Sequence, residues 1–92
     1  MSMSRLMSKT IQAGPKLNHQ EFRFLVLMAD CPYGPNEYRC DTDAIASNGR
    51  FHWLDIQDLR ASFHASRVAQ EMGIEVRIND GLSWVVFREG QQ

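Results

Sequence analysis

The stretch LDIQDLRASFHASRVAQEMGIEVRINDGLSWVVF, residues 54–87, decides how this chain is read. It divides into a helix, a glycine stop and a tight hairpin. Asp55 is expected at the N-cap, with Leu54 and Leu59 stapled across the first turn and Asp58 near the positive helix end. Gly73, after Met72, is expected at the helix stop, where positive φ costs a glycine nothing. Gln57, Arg60, His64, Arg67 and Glu71 recur at intervals of three and four, which places them on one polar stripe. Ile56, Leu59 and Phe63 flank that stripe on one side, and Ala61, Ala65, Val68, Ala69 and Met72 on the other. The helix is therefore expected to be buried over most of its circumference. Ser66 interrupts the pattern, and a separate short helix capped by Ser66 is the alternative.

From Ile74 the period changes to two. Ile74, Val76 and Ile78 alternate with Glu75, Arg77 and Asn79, the pattern of a half-buried strand. Asp80-Gly81 predicts a type I′ turn, and Leu82–Arg88 the returning strand. A two-residue loop would pair Ile78 with Ser83 and Ile74 with Phe87. A three-residue loop would pair Ile78 with Leu82 and Ile74 with Val86. Both registers keep one apolar face, so the pattern leaves them open. The second strand is apolar on both faces. Either both sides are covered, or Trp84 or Phe87 is a contact surface for a partner.

Ahead of this unit, residues 1–15 lack a cap or a periodic stripe and are expected to form a flexible tail. Leu6, Met7 and Ile11 are the residues that would dock it on the body or on a second subunit. Residues 16–89 are expected to be a single domain and residues 90–92 a second tail. Asn18 and Glu21 make a capping box for the first confident helix, with Leu17 and Phe22 as its staple. That helix is apolar nearly all round and must end before Pro32. Pro32, Gly34, Pro35 and Asn36 read as an irregular loop, and Tyr38-Arg39-Cys40 as a short extended segment. Asp41 or Thr42 should cap a brief helix stopped at Asn48-Gly49. Phe51 and Trp53, in the connector Arg50–Trp53, are expected as core plugs.

The fold class expected is α+β, mainly helical: a three-helix core with a short strand and a C-terminal β-hairpin. The 92 residues suffice for one small domain, and the net charge of −1 counts against a strongly basic nucleic-acid binder. Eight of the ten basic residues are arginine, which suits bidentate contacts to phosphate or carboxylate. No apolar run is long enough for a membrane span or a signal peptide, so a cytoplasmic location is expected. Cys31 and Cys40 are then read as reduced thiols, with a disulfide as the alternative. Cys31, Cys40, His52 and His64 lack the paired spacing of a metal site. No catalytic motif or phosphate loop occurs, so neither an enzyme nor a cofactor is expected.

In element order, the chain resembles the winged-helix variant of the helix-turn-helix family over Leu17–Arg88. The resemblance also rests on Thr42-Asp43-Ala44-Ile45-Ala46 as a second-helix core and on Met72-Gly73-Ile74 leading into the hairpin. It implies a third helix that reads the major groove of double-stranded DNA and a hairpin that flanks the phosphates. Gln57, Arg60, His64 and Arg67 would then lie on the reading face, Arg77 and Arg88 near the wing, and Arg50 beside them. The sequence departs from the family in a longer connector, a long third helix and an acidic wing tip at Asp80. Two functions follow as expectations. One is a DNA-binding regulator of transcription or replication, acting as a homodimer, in the style of a phage or mobile-element protein. The other is a protein-binding module of the same fold, such as a phage-encoded inhibitor of a host machine. An ordinary solvated helix face, with Arg67 and Glu71 as an i,i+4 ion pair, accounts for the polar stripe without either.

Overall fold

The period-two pattern does form a hairpin, of β3 (Ile74–Ile78) and β4 (Leu82–Phe87). The computed structural model describes residues 4–88, and the tail expected at 90–92 lies outside them. Ile74 pairs with Phe87, Val76 with Val85 and Ile78 with Ser83, the register of the two-residue loop. Asn79 N donates to Leu82 O at 3.0 Å and closes it. The turn is nevertheless not type I′, because among the described residues only Arg50 and Gly73 have positive φ. Its shape comes from clamps on either side. Thr42 donates through N to Gly81 O (3.3 Å) and through Oγ1 to Asn79 O (2.6 Å). Arg60 Nε donates to Ile78 O at 2.6 Å.

β4 lies in the middle of a four-stranded antiparallel sheet of order β1-β2-β4-β3. Its other neighbour is β2 (Glu37–Asp41), where Tyr38 faces Val85 and Arg39 faces Trp84. β1 (Pro32–Gly34) adds an edge strand where a loop was expected. Pro32 fits there because the first position of an edge strand needs no ladder donor. One sheet face carries Tyr38, Ile74, Ile78, Val85 and Phe87, all buried.

Five helices cover that face. α2 (His19–Ala29) starts at the predicted capping box: Asn18 Oδ1 accepts from Glu21 N at 2.8 Å, and Glu21 Oε1 accepts from Asn18 N at 2.9 Å. Glu21 is buried, and its second oxygen accepts from the Ser62 hydroxyl. Phe24, Leu25 and Met28 of this helix are fully buried, with the Phe24 ring 5.6 Å from that of Phe63. α3 (Thr42–Gly49) and α4 (Trp53–Ala65) follow, and α5 (Arg67–Met72) leads through Gly73, at φ 75°, into β3.

Several expectations are corrected. Residues 5–13 are a helix, α1 (Arg5–Ala13), and not a flexible tail. Leu6 and Thr10 are fully buried on one side of it, and Leu6 N donates to the Tyr38 hydroxyl at 3.2 Å. That bond satisfies a first-turn donor that the helix cannot satisfy itself. The long third helix is in fact two: Ser66 is extended and its Oγ accepts from Val68 N at 3.0 Å, starting α5. α4 begins three residues earlier than read, with His52 as cap and Asp55 in the third helical position. Leu54 is therefore exposed and forms no staple, and Trp53 is exposed instead of plugging the core. Phe51 is buried as expected. α3 stops in the left-handed way, but at Arg50 (φ 56°) and not at Gly49. Gly49 serves another need: a Cβ there would lie 2.5 Å from Phe51 Cε2. The connector between α3 and α4 is thus residues 50–52, one residue shorter than the Arg50–Trp53 connector expected.

Candidate functional site

The residues expected on the reading face and near the hairpin line two separate clefts. Gln57 and Arg60 line a shallow cleft of about 260 Å³ with Asp43 of α3, Trp53 and the wing-tip Asp80. His64, Arg77 and Arg88 line a larger cleft, about 340 Å³, between the end of α4 and β3. The break at Ser66 turns Arg67 and Glu71 out of line with the first three. Glu71 pairs with Lys16 at 3.3 Å, so the expected Arg67–Glu71 pair gives way to a tie between α5 and the turn after α1. Arg67 is exposed at the start of α5 and Arg50 is exposed at the end of α3.

Most of the expected phosphate-binding cations already have anionic partners. Arg60 reaches Asp80 through Nη2 at 3.5 Å while its Nε holds Ile78 O. Arg77 pairs with Glu75, and Arg88 Nη2 lies 3.5 Å from the same carboxylate. Arg60 is in effect a strut between helix and wing. Replacing it with alanine is expected to cost about 1 kcal/mol, modest because the side chain is half exposed. Amide exchange should rise at Asn79–Leu82 and not in α2. Protection unchanged at the turn would mean that Thr42 alone holds it.

Sequence reading missed the most exposed apolar surface of α4. Trp53 is 60% exposed and Leu54 51% exposed, side by side in the first turn. His52 and Asp55 fix this turn. His52 Nδ1 accepts from Leu54 N at 3.3 Å, and Asp55 Oδ2 accepts from His52 N at 2.9 Å. Gln20 donates to Asp55 Oδ1 at 3.1 Å and ties the turn to α2. The His52 N–H, and then Gln20, hold the Asp55 carboxyl below its ordinary value of 3.8. A lowered pKa in the folded state means stabilisation that is complete above the ordinary value and lost as pH falls through the folded one. The stability gap between the protein and Asp55→Asn should therefore shrink between about pH 5 and pH 2. A gap constant over that range would deny the carboxylate its role. The missed signal was local: His52 is an uncommon cap, and reading Asp55 as the cap moved both apolar neighbours inward.

The two residues expected as partner contacts separate. Phe87 is a correction: it faces the core, packed edge-on against Tyr38 with ring centroids 6.4 Å apart and covered by Arg5 at 4.0 Å. The register that pairs it with Ile74 turns it inward, which no alternation within β4 could decide. Trp84 points to the opposite sheet face, half buried between Arg39 and Arg77 on the flanking strands. Its Nε1 is the buried side-chain polar atom without a hydrogen-bond partner among the described residues.

Cys31 and Cys40 are free thiols, and Cys31 Sγ donates to Leu27 O at 3.7 Å. Burial, then the neighbouring Cys40 and the Asp30 charge, raise Cys31 to about 11. Among the described residues no cluster of three or more His, Cys, Asp or Glu could hold a metal ion. No helix among them is long and apolar enough to cross a membrane. In comparison with known proteins, the chain matches no family model, no curated protein and no solved structure.

Proposed function

We propose that the domain is a protein-binding module whose α3–α4–wing surface docks a macromolecular partner, with Trp53 and Leu54 as the anchors. The exposure of these two adjacent apolar side chains beside the cleft is the observation that carries this reading. Tryptophan set in a polar rim is the usual centre of a protein interface. The rim carries more acid than base: Asp43 lines the cleft, Asp80 lines it paired with Arg60, and Asp58 is exposed one turn further along α4. A partner of matching chemistry offers an apolar pocket bordered by lysine or arginine. The same charges disfavour a phosphate backbone, and Arg60 is already committed to the wing.

Double-stranded DNA is the second reading. It is favoured by the three-residue turn between α3 and α4 and by Arg50 and Arg67, exposed without an ion pair among the described residues. The test runs both arms on the folded protein. A photo-crosslinker at Leu54 should trap a stoichiometric protein partner, and Trp53→Ala should weaken that capture at least tenfold with unchanged circular dichroism. A salt-dependent shift of duplex DNA at low salt, reduced by Arg50→Ala and Arg67→Ala, would replace the first reading with the second.

A further inference from the structure

The outward face of the sheet carries an ordered charge pattern. Glu37, Val86 and Glu75 lie side by side across β2, β4 and β3. The next row on the same face is Arg39, Trp84 and Arg77. Within the chain Arg39 pairs with Glu37 and Arg77 with Glu75, one such pair on each side of an apolar ridge of Trp84 and Val86. Tyr33 of β1 extends the second row by stacking on Arg39 at 3.9 Å. The six side chains of the two rows line an open cleft of about 220 Å³, and Arg77 is 65% exposed.

We propose that this face pairs with the same face of a second copy of the chain. A two-fold axis lying between the rows, perpendicular to the strands, sets each row against the other row of its mate. Glu37 then meets Arg39 of the second copy, and Glu75 meets its Arg77. By symmetry the arginines meet the glutamates in turn, giving four cross-chain pairs. Val86 packs on Trp84 of the second copy, twice. An isologous contact demands such self-complementarity, and the alternation of an acidic and a basic row supplies it. Sheets stacked with nearly aligned strands leave about 10 Å between them, which arginine, glutamate and tryptophan side chains fill. A nucleic acid laid on Trp84 would meet Arg39 and Arg77 only where they are already paired with Glu37 and Glu75 one row away, so it is the poorer match. Three strands about 4.8 Å apart and five residues long at about 3.4 Å each give a small contact, so the association is weak and reversible. This surface is separate from Trp53 and Leu54, and the inference does not depend on what they bind.

Charge exchange tests it. Sedimentation equilibrium from about 10 μM to about 1 mM covers weak self-association. The protein should show a monomer–dimer equilibrium that weakens as salt rises. The double variant Glu37→Arg with Glu75→Arg, and the double variant Arg39→Glu with Arg77→Glu, should each self-associate at least tenfold more weakly. Their equimolar mixture should form a one-to-one dimer. On dilution of the unaltered protein, NMR shifts should centre on the Trp84 indole and on the amides of β2, β4 and β3. That measurement reads the face without any variant and so survives a failure of either to fold. A monomer throughout the concentration range would overturn the proposal. So would a mixture that stays monomeric, dilution shifts centred on α3 and α4, or an oligonucleotide that binds Trp84 in the absence of a dimer.

Discussion

Leu6→Ala is expected to destabilise the domain by about 3 kcal/mol, a drop of roughly 15 °C in Tm. Leu6 is fully buried in the core, and removing most of its side chain leaves a void that the helix can fill only by shifting. The shift would strain two bonds at once. Leu6 N donates to the Tyr38 hydroxyl, and Leu6 O accepts from Thr10 Oγ1 at 2.7 Å. Ile11→Ala, on the exposed side of the same helix, is the control and should change stability by less than about 0.5 kcal/mol. Urea denaturation of both variants decides the matter. Equal, small effects would mean that the first helix is an appendage in solution.

Gly49→Ala is expected to cost about 2 kcal/mol, and the sign is the informative part. An uncrowded glycine in a helix gains up to about 1 kcal/mol on becoming alanine. Here the added methyl would stand 2.5 and 2.7 Å from the Phe51 ring and 2.8 Å from Leu27 Cδ1. The leucine tip can turn away. The ring cannot do so freely, because it is buried and Arg23 lies 4.7 Å over its centre. Pushing Phe51 would open the α3–α4 turn and disturb the placing of Trp53 and Leu54. Thermal denaturation of this variant should therefore show a loss, and a gain would mean that the turn is loosely packed.

What could be read in advance was what is encoded locally. The Asn18–Glu21 box, the stop at Gly73 and the alternation from Ile74 to Ile78 each involve neighbours in sequence, and each stands as expected. The first helix escaped because only Leu6 and the polar Thr10 are fully buried on it, and its anchor is a hydroxyl on Tyr38, more than thirty residues away. β1 escaped because it begins at Pro32 and is followed by Pro35, and only its pairing with β2 makes it a strand. In the candidate site the residues were visible but their company was not. Arg60, Arg77 and Arg88 look like free cations along the chain, whereas their carboxylates arrive from the turn and from β3. The outward row of Arg39, Trp84 and Arg77 needs three strands in register, of which the first lies 45 residues before the central one.

That central position of β4 governs how the polypeptide is born. β4 is the last of the four strands to be synthesised, yet both β2 and β3 depend on it for their inner hydrogen bonds. A nascent chain ending before Leu82 holds β2 and β3 with nothing between them, each offering a bare edge to its surroundings. The five helices described all precede Leu82 and can pack before β4 is made, while the sheet waits for one closing insertion across a long loop. Removing the final strand should thus forfeit the whole sheet at once instead of trimming its margin.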